Sequence, residues 1–442
     1  MDKFCILGSG IAGLSTAYYL KKNNPSSTII ILEEQHKAGG VIDSDPFGDC
    51  VVEWGPRGVR PKGNGQFVLE MAEDLGLWDE LVFADDKSKK RYLYHDNKLQ
   101  VLPYSFTSFI RSPYLLIFIK ALFKDLKAKH VTEDETIADF VDRHFGEDVR
   151  RLFFDSVVSG IWAGDVSKMS ISATLPLLKR LEARKGSVVR ALRSYKAPAS
   201  EAKSFPKEVT SKALFSFKKG LQVLTDRLKD RFEGSIVYDA NITAIDFDKT
   251  TVHCANGTVY EYDTLVSTIP AFKLSPFVSN DLATTLNSIK YSPVGVLNMQ
   301  IPKAQINFDG FGFLVPSKEK SVVLGMVANS NTFPSHGSKT HIVNTVMLGG
   351  ARFTYNQLAL MDLENEAKAF LSKVFGKEVV SVHEELRLID NAIPQYELGH
   401  LSKVAAIEAH SLPNFKILGS YLYGVSIIDI VTKSREYVDS LT

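Results

Sequence analysis

A glycine-rich turn near the amino terminus constrains this chain more than any other feature. Gly8-Ser9-Gly10-Ile11-Ala12-Gly13 stands between the strand-like run Lys3-Phe4-Cys5-Ile6-Leu7 and a helix-like stretch. A second strand-like run from Ser27 ends on Glu33 and Glu34. Each glycine has a job in such a turn: Gly8 permits the tight bend, Gly10 lets backbone approach a diphosphate, and Gly13 lets helix pack on sheet. A helix opening there turns free N–H groups and its positive dipole end towards phosphates, while Glu33 accepts hydrogen bonds from ribose hydroxyls. Strand, turn, helix, strand and acid in this order read as a βαβ unit that holds an adenine dinucleotide.

NAD(H) and FAD both suit that turn. The pair Gly39-Gly40, a few residues past Glu33, favours FAD, because flavoproteins with two dinucleotide-binding domains carry such a pair there and NAD-only dehydrogenases generally do not. Towards the carboxyl terminus, Gly419, Gly424 and Asp429 fall in a strand, loop and helix start suited to covering a flavin ring. An ordinary terminal strand and helix is the plain alternative.

At 442 residues the chain is too long for one ordinary core, so two or three units are expected. The expected class is α/β, an FAD-binding Rossmann-like (two-dinucleotide-binding-domain) fold with an α+β substrate domain and a helical insertion. The FAD-binding unit is assigned to residues 1–90, 215–272 and 400–442, the helical insertion to 91–214 and the mixed substrate sheet to 273–399. Within the insertion, the Lys/Arg-rich stretch from Lys185 to Lys212 reads as a weakly ordered surface segment.

With 52 basic and 51 acidic residues the net charge is +1, which speaks against a nucleic-acid partner. Cys5, Cys50 and Cys254 lie far apart and in no metal-ligand spacing, so neither disulfides nor a metal site is expected. The first strand starts almost at once, which leaves no room for a cleavable leader. "SPYLLIFIKALFKDLKAKH" is too short and too interrupted by lysine to span a membrane. An amphipathic helix lying in a membrane interface and a plain buried helix are equally good readings of it.

Four further segments carry a resemblance. "EWGPRGVRPKG" from Glu53, "SGIWAGDVSKMSI" from Ser159, "IPQYELGH" from Ile393 and "YGVSIIDI" from Tyr423 together resemble the protoporphyrinogen oxidase family of the flavin amine-oxidase superfamily. The resemblance implies that Gly55, Pro56, Arg57 and Gly58 lie along the flavin and that Val425, Ser426 and Ile427 approach it from the other side, with Ile242 also at the cofactor. It further implies that Arg91 faces a substrate propionate, that Gly160 and Ala163 line the pocket near the oxidised carbon, and that Met347 packs on the macrocycle. One departure is Ser434, where similar sequences often have glycine.

The implied chemistry is oxygen-dependent conversion of protoporphyrinogen IX to protoporphyrin IX in haem biosynthesis, by three rounds of hydride transfer to FAD with release of hydrogen peroxide. Coproporphyrinogen III is the alternative substrate, and another flavin amine-oxidase-type enzyme or a porphyrin carrier without turnover are more distant ones. No side chain is nominated as general acid or base, since the cofactor and the pyrrole nitrogens carry the chemistry. His400 reads as structural. Expected partners are the porphyrinogen, molecular oxygen and a membrane surface, with a homodimer as a further expectation. The expected place is the cytoplasm or the cytoplasmic side of a bacterial membrane, with the mitochondrial inner membrane as the alternative.

Overall fold

In the computed structural model, which describes residues 2–104, 106–196, 201–410 and 412–441, the opening segment folds as read. Strand β1 (Lys3–Leu7) leads into helix α1 (Ile11–Asn23) and strand β2 (Thr28–Leu32). The apolar run of β1 is buried from Phe4 onward, as a central parallel strand covered on both faces requires. Five parallel strands lie in the order Phe415–Ile417, Thr264–Ser267, β1, β2, Ile236–Val237, so three distant stretches of chain build one sheet.

The last helix, Ile427–Asp439, packs against α1. At their contact the hydroxyl of Ser15 donates to Ser434 Oγ at 3.0 Å and Ser434 Oγ approaches the carbonyl of Ala12 at 3.3 Å. The serine that departs from the family pattern is thus absorbed by a buried hydroxyl cluster.

A second, seven-stranded sheet runs in the order His383–Pro394, Tyr291–Pro302, His341–Gly349, Val323–Ala328, Gly312–Leu314, Arg91–His95, Lys98–Val101. It is antiparallel except where Gly312–Leu314 meets Arg91–His95. Residues 91–101, placed by sequence at the start of the helical insertion, therefore form a hairpin of this sheet. The turn that closes it puts Asp96 and Asn97 at φ of 52° and 59°, the conformation that a two-residue hairpin turn demands.

One face of the sheet buries Phe313, Met326 and Leu348 beneath helix Leu363–Phe375. The opposite face meets the helical part, where Leu93 and Leu314 pack with Tyr114, Leu152 and Phe153. The basic stretch after Lys185 is better ordered than read: Ser187 caps helix Val188–Leu192, and Val188 and Ala191 are buried. Residues 197–200 of that stretch lie outside the described residues. All three cysteines are buried free thiols.

Candidate active site

Four of the parallel strands end at one crevice. Just past their carboxyl ends stand Gly8, Glu33, Thr268 and Gly419, which line a cavity of about 580 Å³. After β1 the chain crosses to β2 on one side and later adds Thr264–Ser267 on the other. A ligand crevice belongs at such a reversal of strand order.

Gly8 takes φ of +94°, and its N–H donates to Leu32 O, which ties the turn to β2. A Cβ on Gly13 would stand 2.0 Å from Gly8 O, so only glycine lets α1 start this close to β1. Gly10 precedes the helix in extended conformation without a side-chain cap, leaving the first N–H groups of α1 to the crevice. Gly39 donates its N–H to Ser9 O at 3.0 Å, and Gly40 sits against Gly10 at a φ of +61°.

Glu33 is fixed by three donors: Ser9 N at 2.8 Å, Ser9 Oγ at 2.6 Å and Gln35 N at 2.9 Å. Its carboxylate is thereby aimed before any ligand arrives. Glu34, on the same wall, pairs with Lys273 at 3.0 Å.

Of the cofactor residues read from sequence, Gly8, Gly10, Ile11, Ala12, Glu33, Glu34, Gly40 and Ile242 line the cavity. Ser9, Gly13 and Gly39 support it from behind. Val425, Ser426 and Ile427 open the closing helix, where Ser426 accepts the N–H of Asp429. Gly424 stands beside Ala12 in a crevice adjoining that helix. The cavity also has walls that the sequence reading missed: Thr268, Ile269, Phe272, Tyr291, Asn391 and Tyr421. Only the strand-end position of "STIP" offered a signal for Thr268 and Ile269; the others are adjacent through tertiary folding alone.

Gly55 to Gly58 run on from the hairpin Ser44–Phe47 and Cys50–Glu53. A Cβ on Gly55 would meet Val41 O at 1.8 Å, so this segment lies flush on the loop after Gly40. Arg57 Nη2 reaches Met347 Sδ at 3.3 Å, and its Nε is buried without a partner. Glu53 is buried and accepts from Ser44 Oγ at 2.6 Å and Leu221 N at 2.8 Å. Burial nonetheless pushes its carboxyl up to about 8, while burial lowers Arg57 to about 10 against the pull of Glu53.

Strand register gathers the residues assigned to the substrate. Leu93, Leu314, Gly325, Met347 and Val296 are successive partners and share one sheet face. Gly160 meets Leu314 on that face, since a Cβ there would stand 2.5 Å from Leu314 Cδ2. Ala163 ends its helix at φ of 49° and joins the apolar cluster that Met347 packs against. Arg91, two residues before Leu93, points to the same face, with its guanidinium 5.1 Å from the Phe311 ring centre. Among the described residues no carboxylate pairs with Arg91. His400 is buried, stacks on Tyr396 with ring centres 4.2 Å apart and is pushed down to about 4 by burial, in keeping with a structural role.

Comparison with known proteins now bears on this geometry. The model of the family "flavin containing amine oxidoreductase" matches residues 11–401. Protoporphyrinogen oxidase of Bos taurus is 31% identical over 98% of this chain and 96% of its own length. The chain belongs to the flavin-containing amine oxidoreductases, and within them to the protoporphyrinogen oxidase family. Membership implies a flavin cofactor, and the oxidase of Dictyostelium discoideum extends the likeness, at 29% identity, to 100% of this chain and 99% of that one. In structure, a protein from Exiguobacterium sp. 255-15, described provisionally as a protoporphyrinogen oxidase, superposes with a TM-score of 0.84 at 19% identity, covering 100% of this chain and 98% of the other. That identity is low enough for the superposition to speak for the fold alone. The glycine turn and the mixed sheet thus form the flavin amine-oxidase-type FAD-binding fold.

Proposed function

We propose that this protein is an oxygen-dependent protoporphyrinogen oxidase with FAD as its cofactor. Full-length kinship with protoporphyrinogen oxidases is the observation that carries this reading. The cavity supports FAD in particular. It combines a glycine turn, an uncapped helix N-terminus, a pre-aimed carboxylate and a large apolar wall. Val41 on that wall is 68% exposed, apolar surface that a dinucleotide lying across Gly40 would cover.

Bound FAD supplies a two-electron acceptor that dioxygen restores, so that three rounds take the porphyrinogen to the conjugated porphyrin with hydrogen peroxide released. The chain itself binds and orients. Free N–H groups of α1 would hold the diphosphate, and Glu33 would take the ribose hydroxyls. The sheet face of Leu314 and Met347, roofed by the helix of Gly160 and Ala163, offers an apolar, water-excluding surface to the macrocycle. Arg91 would hold an acid arm, with no carboxylate among the described residues to be displaced first. No side-chain base is assigned.

An anaerobic titration of the purified protein with protoporphyrinogen IX tests the reading. The flavin absorbance is expected to bleach, and air is expected to restore it while porphyrin fluorescence grows. A colourless protein that refuses added FAD, or a yellow one that porphyrinogen leaves unbleached, overturns it. Coproporphyrinogen III run in parallel separates the alternative substrate.

A peripheral membrane contact belongs to the same proposal. Helix Leu115–Asp125 leaves Leu116, Ile119 and Phe123 exposed beside Lys120 and Lys124. Among the described residues no helix is long and apolar enough to cross a membrane. Exposed apolar side chains flanked by lysine suit an interface between water and anionic lipid.

A further inference from the structure

A guanidinium taken out of water without an acceptor carries an uncompensated desolvation cost, which an anionic ligand removes. Arg352, itself half-buried, carries one such N–H group. Its Nη2 is buried and has no hydrogen-bond partner among the described residues, and burial lowers the proton affinity of the side chain. Asp155 and Asp165 are the acids whose charge bears on it, yet neither forms an ion pair with it among the described residues. Both are already engaged: Asp155 accepts Ser317 N at 2.6 Å, and Asp165 accepts Ser167 N at 2.9 Å and Ser167 Oγ at 2.7 Å.

The position of Arg352 ties it to the substrate face. Met347 lies two residues before the end of its strand, and the chain leaves that strand through Gly349 and Gly350 at φ of 91° and 80°. Ala351 N then donates to Ala163 O at 2.7 Å, and a Cβ on Gly350 would stand 2.9 Å from that same oxygen. The loop is thus locked to the end of the helix that carries Gly160 and Ala163. Trp162, the preceding residue of that helix, holds a second buried donor, Nε1, without a partner among the described residues. Arg91 stands three strands from His341–Gly349 and, in register, level with Thr345. Arg91 therefore borders the face of Leu314 and Met347 from three strands away, about 14 Å across the sheet, and Arg352 from the turn after Gly349, which is itself about 13 Å along the strand from Thr345.

We propose that Arg352 is a specificity-determining residue that binds a second carboxylate arm of the porphyrinogen, the one Arg91 does not take. This rests on the porphyrinogen-oxidase reading of the site. A carboxylate there completes the hydrogen bonding of Nη2 and supplies the counter-charge that Asp155 and Asp165 leave incomplete. A substrate lacking acid arms gains nothing from it.

The experiment compares protoporphyrinogen IX with its dimethyl ester in the FAD-loaded wild type and in Arg352→Gln and Arg352→Lys. With the free acid, KM of Arg352→Gln is expected to rise about tenfold, the worth of one charge-assisted hydrogen bond, and Arg352→Lys to recover part of the loss. With the ester, KM is expected to be the same in all three proteins. An equal rise for acid and ester, or no rise for the acid, overturns the proposal. If Arg352→Gln does not fold, quenching of protoporphyrin and of its dimethyl ester is compared in Arg352→Lys and wild type. Weaker binding of the acid alone supports the proposal, and any other pattern overturns it. A wild type that oxidises neither substrate refutes the oxidase reading itself, whereas active wild type with indifferent variants refutes only the role of Arg352.

Discussion

At the scale of single residues, Glu53 is a carboxylate whose surroundings oppose its charge. Burial outweighs the Ser44 hydroxyl, the Leu221 N–H and the nearby Arg57, and raises its carboxyl from an ordinary 4.5 to about 8. A folded-state value above the unfolded one means that the native protein binds the extra proton. The stabilisation is complete below about pH 4.5 and is lost as pH rises through about 8. The wild-type melting temperature is therefore expected to fall between about pH 6 and pH 9, and Glu53→Gln to flatten that slope. Parallel slopes in the two proteins would show that the proton resides elsewhere. The residue scale also shows what sequence makes legible. Gly8, Gly13 and Gly40 are recognisable because backbone geometry forbids a side chain at Gly13 and strains one at Gly8 and Gly40, whereas Phe272, Tyr291 and Tyr421 are unexceptional residues that become a cavity wall only when distant strands meet.

Single elements divide in the same way. Helix Leu115–Asp125 is plain in the apolar spacing of its sequence, but whether its outer face is covered is a fact of packing, and the exposed Leu116 and Phe123 answer it. Leu116→Glu with Phe123→Glu is expected to weaken flotation with anionic phospholipid vesicles at least about tenfold while leaving the flavin spectrum intact. Unchanged flotation would mean that this face meets something other than lipid. The hairpin of residues 91–101 shows the opposite case. Its strands are five and four residues long, too short for a clear alternation, and they are held by pairing with Gly312–Leu314, more than two hundred positions away. Local pattern has no access to that partner, and so the segment reads in sequence as part of the neighbouring helices.

Across the whole molecule, one arginine ties the edge of the seven-stranded sheet to the hairpin that follows the Gly39-Gly40 loop. Arg387, on the edge strand of the seven-stranded sheet, donates to Asp43 at 2.7 Å and to Asp45 at 2.8 Å, and lies 3.7 Å from the Trp54 ring centre. Asp43 also holds Lys37, just before the Gly39-Gly40 pair, at 2.9 Å. The guanidinium is about a third exposed, so water screens much of the attraction, and Arg387→Ala is expected to cost about 1–2 kcal/mol. A single melting transition moved to lower temperature is the expected result by calorimetry, and a split into two transitions would show that other contacts do not keep the seven-stranded sheet and the hairpin cooperative. By itself the sequence determined the dinucleotide turn, its acid partner, the flavin-type glycine pair and the family, because each is a short run whose backbone chemistry admits few residue types. Tertiary structure alone decided which strands end at one crevice, that Arg91, Gly160, Ala163 and Met347 border one sheet face, and that Nη2 of Arg352 is buried with no hydrogen-bond partner among the described residues. These follow from strand order and register, which depend on contacts hundreds of residues apart and so leave no mark on any single stretch of chain.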